Sequence, residues 1–260
     1  MRALKKFGQH FLEPAWADKV LAAIDPRPDD RFLEIGPGPG ALTLRLAPRV
    51  AHLTAVEIDP AMIDALRPRV PSNVTLIQAD FLELDAVSIG DGSLRVAGNL
   101  PYNVSSPILF KLLEMHRTRG AIVDATLMVQ REVADRMTAA PGGGDYGVLA
   151  ILVQLHADVR RVLALPPGAF RPPPKVNSAV VVLRFRAPAV ALRDEAAFTA
   201  MVRSMFTQRR KTLANALKPF AASRGADASA ALATAAIDPR RRPETLQLTE
   251  LARLADAFDD

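Results

Sequence analysis

Four consecutive residues, Asn99, Leu100, Pro101 and Tyr102, bring together groups able to hold a planar amine for alkylation. The exocyclic amine of adenine is such a group, and a poor nucleophile, because its lone pair is delocalised into the ring. Two acceptors on its hydrogens, the Asn99 side-chain oxygen and the Leu100 carbonyl, would aim the nitrogen at an electrophilic methyl group. Pro101 stiffens the turn, and Tyr102 presents a ring on which an extruded base can stack. No general base is compulsory, since the methylated ammonium product is acidic enough to shed its proton afterwards. An Asn/Pro turn is common in isolation, so its chemical reading depends on the residues upstream.

Upstream lies Glu34-Ile35-Gly36-Pro37-Gly38-Pro39-Gly40-Ala41. Gly36 and Gly38 let the backbone approach a ligand, and the helix start that follows offers free N–H groups. The run satisfies the loose G-x-G-x-x-G/A fingerprint, which by itself does not separate NAD from S-adenosylmethionine. Glu57 falls about 20 residues further on, where a carboxylate accepts the hydroxyls of a ribose. Asp80 follows the next strand and suits an adenine amino group, with Phe81 covering the ring; a turn-capping aspartate is the alternative there. Two acids at successive strand ends describe an adenosine moiety lying across the carboxyl edge of a sheet. NAD would also need a seat for its second nucleotide and a hydride acceptor, for which the sequence offers no constellation. Methyl transfer from S-adenosylmethionine is the better reading.

These residues need a scaffold, and the hydrophobic pattern supplies one. Strand-like runs at Arg31–Ile35, 52–58, Val74–Gln78, 94–97, 125–129, 160–165 and Ser178–Phe185 alternate over most of their length with segments of helical period. The helices are expected from about Ala41, over 60–70, 105–115, 131–139 and 146–156, and the glycine run Gly142-Gly143-Gly144 breaks the chain between the last two. From about Ala187 the sequence turns Ala-, Leu- and Arg-rich with no strand-like run. The expected organisation is a Rossmann-like α/β domain over 1–186 and a small helical domain over 187–260.

The 260 residues suit one large domain and a satellite. No apolar run approaches the roughly 20 residues of a membrane span, and the first ten residues lack the apolar segment of a secretory signal. With zero cysteines there is no thiolate nucleophile and no cysteine-ligated zinc; no metal site is expected. A cytoplasmic, monomeric protein is the simplest expectation. The net charge of +5 favours a polyanionic partner but also fits many enzymes. Basic residues barely outnumber acidic ones beyond Ala187, so any nucleic-acid surface must be a folded patch.

An ordered set of motifs spans nearly the whole chain: Phe7-Gly8-Gln9-His10-Phe11-Leu12, Leu33-Glu34-Ile35-Gly36-Pro37-Gly38, Val56-Glu57-Ile58-Asp59, Gly98-Asn99-Leu100-Pro101-Tyr102-Asn103, Met128-Val129-Gln130-Arg131-Glu132-Val133-Ala134, Tyr146-Gly147, Phe170-Arg171-Pro172-Pro173-Pro174-Lys175-Val176 and Gln208-Arg209-Arg210-Lys211. In these the chain resembles the small-subunit (16S) ribosomal RNA adenine N6,N6-dimethyltransferases. The resemblance implies a seven-stranded class I methyltransferase core with a C-terminal helical domain. It also implies dimethylation of two adjacent adenines near the 3′ end of small-subunit rRNA during subunit maturation. By matching motifs it places His10, Leu12, Gly36, Glu57, Asp80 and Asn99 at the cofactor, with asparagine a frequent alternative to histidine at position 10. Phe170, in a proline-stiffened loop, could sandwich the adenine opposite Tyr102; packing of the loop onto the core is the competing expectation. Arg131, Arg136, Arg171, Lys175, Arg209, Arg210 and Lys211 are candidate phosphate contacts, with a solvated helix face as the alternative for Arg209 to Lys211. The rival activities are a 23S rRNA adenine methyltransferase of the resistance type, a DNA adenine methyltransferase further off, and a non-catalytic ribosome-assembly factor on the same fold.

Overall fold

Alternation of apolar strands with helices produces, in a computed structural model that describes residues 10–85 and 93–258, a seven-stranded sheet. The Phe7 to Gln9 part of the first motif lies outside the described residues. The strands are β2 (Arg31–Ile35), β3 (His52–Glu57), β4 (Val74–Gln78), β5 (Leu94–Asn99), β6 (Ile122–Gln130), β7 (Ala157–Leu165) and β9 (Ser178–Phe185), preceded by a two-residue β1 (Phe11–Leu12) that pairs with β8 (Phe170–Arg171). The sheet order is β4-β3-β2-β5-β6-β9-β7. Strands β4, β3, β2, β5 and β6 run parallel to one another, and β9 inserts antiparallel beside β6, from Asp124↔Arg184 to Gln130↔Ser178.

The direction of winding reverses between β2 and β5, since the chain moves outward from β2 to β3 and β4 and then returns to the other side of β2. A crevice opens at the carboxyl ends of strands flanking such a reversal. Both the Gly36 turn and the Asn99 turn leave the sheet there. The central strands bury nearly every residue, as strands covered on both faces must. Helix α1 (Pro14–Ile24) starts with proline in its first turn and buries Ala17, Val20, Leu21 and Ile24, the stripe of a 3.6-residue period. The helix after the glycine turn is only Thr43–Leu46, closed by a tight turn at Ala47–Arg49 where Pro48 removes a donor.

Two glycines shape the crevice. Gly36 has φ +70, a left-handed conformation that turns the chain sharply off β2. At Gly98 a Cβ would stand 2.6 Å from the Ile35 carbonyl oxygen, so only glycine lets β5 lie close enough to β2 to set Asn99 beside the turn. Gly98→Ala is expected to lower stability by about 1–3 kcal/mol, the usual cost of overpacking, readable as a shifted urea midpoint. An unchanged midpoint would mean that the strands separate without cost.

The chain packs as two compact units, one of residues up to Ala134 with Asp158–Phe185, the other of Asp135–Ala157 with Arg186–Asp260. The second unit is helical: α6 (Val148–His156), α7 (Glu195–Phe206), α11 (Leu248–Asp256) and shorter helices between them. Tyr146, fully buried, ties the 135–157 segment into this unit by donating its hydroxyl to the Leu246 carbonyl at 3.1 Å and meeting Phe206 edge-on. Asp194 caps α7, and Gln247 with Glu250 forms a capping box on α11. Among the described residues no helix is long and apolar enough to cross a membrane.

Candidate active site

At the carboxyl edge, Asn99 ends β5 and Leu100 continues the chain with its N–H donated to Met128 of β6 at 3.1 Å. The Asn99 side-chain nitrogen donates to the His10 carbonyl at 2.6 Å. A carbonyl only accepts, so the amide nitrogen must face it, and Oδ1 is left uncommitted among the described residues. The Leu100 carbonyl likewise receives no hydrogen bond from them. Both acceptors required on a target amine are therefore present and available. The Tyr102 hydroxyl shares a 2.6 Å hydrogen bond with Ser178 at the start of β9, and burial raises its pKa against the opposing effect of that bond. The His10 ring lies on Tyr102 at 5.5 Å between centroids and 27° between planes, and its Nδ1 meets the Pro172 carbonyl at 2.8 Å.

A cavity adjoins this turn, lined by His10, Phe11, Leu12, Glu34, Gly36, Gly38, Glu57, Ile58, Asn99, Leu100, Pro101, Tyr102 and Met128 among others. Glu57, at the end of β3, accepts from the Gly38 N–H through Oε2 and from the Asp59 N–H through Oε1, each at 3.0 Å. Those bonds orient the carboxylate and lock the glycine turn, and each oxygen keeps a lone pair for a further donor. Burial raises the Glu57 pKa, against the lowering effect of these backbone donors. Glu34 is 2% exposed, with Oε2 lacking a partner among the described residues, and its pKa is pushed up to about 7, chiefly by burial, with the Glu57 charge adding to it and Thr43 opposing.

A folded-state value above the ordinary carboxylate range gives stability that is complete below about pH 4.5 and is lost as pH rises through about 7. Glu34→Gln should therefore be more stable than the parent at pH 8 by on the order of 3 kcal/mol and equal to it near pH 4.5. Urea unfolding across that range reads this difference; parallel curves for the two proteins would place the buried charge elsewhere.

The lining fits a cationic nucleoside. Its described residues include two carboxyls and no lysine or arginine, a charge pattern that repels the pyrophosphate of a dinucleotide and attracts a sulfonium. The Glu57 oxygens suit ribose hydroxyls, and Ile58, left 43% exposed beside them, offers a flat apolar surface for a base.

The structure does not bring every expected residue here. Asp80 spends Oδ1 on the Leu82 N–H at 2.8 Å, capping the turn after β4, and neither it nor Phe81 lines the cavity. Phe81 is buried beneath Lys111, whose ammonium lies 5.5 Å from its ring and ties the same turn through the Leu82 and Leu84 carbonyls. Phe170, expected either to stack on the adenine or to pack its loop onto the core, is 1% exposed: it pairs with Leu12 across β1 and β8 and sits in the core with Leu12, Met128 and Val180. Arg209 is committed to the Gly143 and Gly144 carbonyls, at 3.2 and 2.6 Å, and faces Glu244, so its guanidinium closes the glycine loop. Arg171 pairs with Glu13 yet stays 83% exposed. Arg131, Arg136, Lys175, Arg210 and Lys211 are exposed. Sequence reasoning missed Glu34, Ile58 and Ser178; the signal for the first was an acid set among apolar neighbours in Phe32-Leu33-Glu34-Ile35.

The parallel sheet with its antiparallel strand slotted beside β6, and an acidic crevice at its switch point, define an S-adenosylmethionine-dependent methyltransferase of class I. Within that class, this chain belongs to the ribosomal RNA adenine dimethylase family, whose model matches residues 1–259. It is 45% identical to a ribosomal RNA small subunit methyltransferase A of Pseudomonas fluorescens, over 100% of this chain and 95% of the relative, and 44% identical to that of Geobacter metallireducens, over 99% and 96%. Its fold is similar to the crystal structures of a dimethyladenosine transferase from Plasmodium falciparum (TM-score 0.79, 26% identity, 96% of this chain and 98% of that one) and of the 23S rRNA methyltransferase ErmE (TM-score 0.67, 28% identity, 96% and 100%).

Proposed function

We propose that this protein transfers methyl groups from S-adenosylmethionine to the N6 amines of two adjacent adenines near the 3′ end of small-subunit rRNA, acting as a cytoplasmic monomer on a maturing subunit. The observation that carries the reading is the pair of acceptors uncommitted among the described residues, Asn99 Oδ1 and the Leu100 carbonyl, beside a cavity lined by two carboxyls. Glu57 holds the ribose, Ile58 underlies the adenine, and His10, Leu12, Gly36 and Gly38 close around the rest. The cofactor supplies the methyl group on a sulfonium.

Asn99 and Leu100 accept the two amine hydrogens and so rotate nitrogen lone-pair density toward the methyl carbon. Pro101 holds that geometry, and Tyr102, fixed by Ser178, stacks on the flipped base once the His10 ring moves aside. Phe170 supports β1 from below. Arg131, Arg171 and Lys175 on the first unit, and Arg136, Arg210 and Lys211 on the second, contact phosphates, with the helical region 187–260 contributing to subunit binding. After transfer the ammonium loses a proton to water.

Methyl-labelled cofactor supplied with unmethylated small subunits, large subunits and DNA is expected to label adjacent adenines of small-subunit RNA alone. Label confined to large-subunit RNA would overturn the substrate in favour of the resistance-type activity. Cofactor binding without label anywhere would favour an assembly factor.

A further inference from the structure

Glu34 takes no part in the mechanism above, yet it lines the cofactor cavity, and its buried carboxyl has one oxygen without a partner among the described residues. Glu57 at the end of β3 and Thr43 of the short Thr43–Leu46 helix act on it, and Asn99, His10 and Tyr102 line the same cavity. No lysine or arginine is among the described residues of that wall. A buried carboxyl beside a second carboxyl, with no cation at hand, keeps its proton; a cation delivered to the cavity removes the reason to keep it.

The methyl donor and its demethylated product differ by one positive charge, on sulfur. We propose that Glu34 is a specificity-determining residue whose negative charge beside the methyl donor's sulfonium favours S-adenosylmethionine over S-adenosylhomocysteine, any proton on the carboxyl passing to solvent when the donor binds. Charge balances in that exchange: one cation arrives and one proton leaves. When methyl transfer converts the sulfonium to a thioether, Glu34 takes a proton back and the product is held less firmly. An enzyme that delivers several methyl groups to one RNA benefits from such release, because each turnover needs a fresh donor. The inference rests on the cofactor assignment made above.

Calorimetric titration of the full chain with each compound, in two buffers of different ionisation enthalpy, reads both affinity and protons. Near pH 6 the wild type is expected to release a proton on binding S-adenosylmethionine and none on binding S-adenosylhomocysteine. Between about pH 6 and pH 8 the Kd for the donor should fall roughly tenfold while that for the product stays flat. In Glu34→Gln proton release disappears, the product affinity holds, and the donor preference drops about tenfold. A carbon-13 carboxyl titration of the ligand-free protein should find Glu34 titrating near neutral pH. Equal proton release with both compounds would place the carboxyl at their shared ammonium and overturn the proposal, as would pH-independent donor affinity or a Glu34 midpoint in the ordinary carboxylate range. Failure of both compounds to bind would instead overturn the cofactor assignment itself.

Discussion

Replacing Asn99 with alanine lowers the single-turnover methyl-transfer rate on unmethylated small subunits by a factor on the order of 10²–10³, the usual effect of deleting one preorganised polar contact to a reacting group. The loss has two sources. The Oδ1 acceptor disappears from the amine, and the 2.6 Å tether to the His10 carbonyl disappears with it. Asn99→Asp separates them, because a carboxylate still accepts from an amine but cannot donate to a carbonyl. It faces the His10 oxygen with negative charge, so the aspartate variant is expected to be as inactive as alanine. Thermal unfolding of both variants should stay near that of the parent, since Asn99 lies at the end of its strand. Turnover within a few-fold of wild type in the alanine variant would remove the two-acceptor mechanism.

Glu57→Ala is expected to weaken S-adenosylmethionine binding by about 100-fold and to destabilise the free protein by roughly 2–4 kcal/mol. The second effect follows from geometry: each carboxylate oxygen holds one main-chain N–H, of Gly38 and of Asp59, and alanine leaves both without an acceptor in a buried place. Glu57→Gln is the discriminating variant. Its amide oxygen satisfies one N–H while its NH2 opposes the other, so it should recover part of the stability and little of the affinity. Calorimetry and urea unfolding on the pair separate the ribose contact from the support of the turn. Unchanged cofactor affinity in Glu57→Ala would count against the ribose assignment, whatever happened to stability.

Much of the sheet was legible from its apolar runs, which are nearly continuous where a strand is buried on both faces, as in β2, and persist on the edge strand β4, none of whose residues is fully buried. Arg31–Ile35, Val74–Gln78 and Ser178–Phe185 have the same limits in the sequence pattern and in the fold. Helices were less so. α1 escaped notice because no side chain caps it and its acids and bases give no end signal. The helix expected from about Ala41 starts at Thr43 and ends at Leu46, where the chain tightens into the turn that holds Pro48. The two-residue strands β1 and β8 are too short to carry any period, and they are what turns Phe170 inward.

What the sequence determined by itself is the chemistry available at each strand end: a glycine turn, an acid about 20 residues beyond it, and an amide, a carbonyl and a ring in one turn. Those are local facts, set by residue type and by the two- and 3.6-residue periods that order neighbouring positions. Tertiary structure alone decided which of these groups face one another. It joined His10 to Asn99 across 89 residues and so pointed the amide, set Ser178 on Tyr102 across 76, and put Glu34 beside Glu57 with an oxygen unpaired. It also engaged Asp80 Oδ1 and the Arg209 guanidinium in hydrogen bonds to nearby turns, which local patterns do not reveal. The physical reason is that a hydrogen bond or a pKa depends on what the fold brings within a few ångströms, and chain spacing carries no record of that distance.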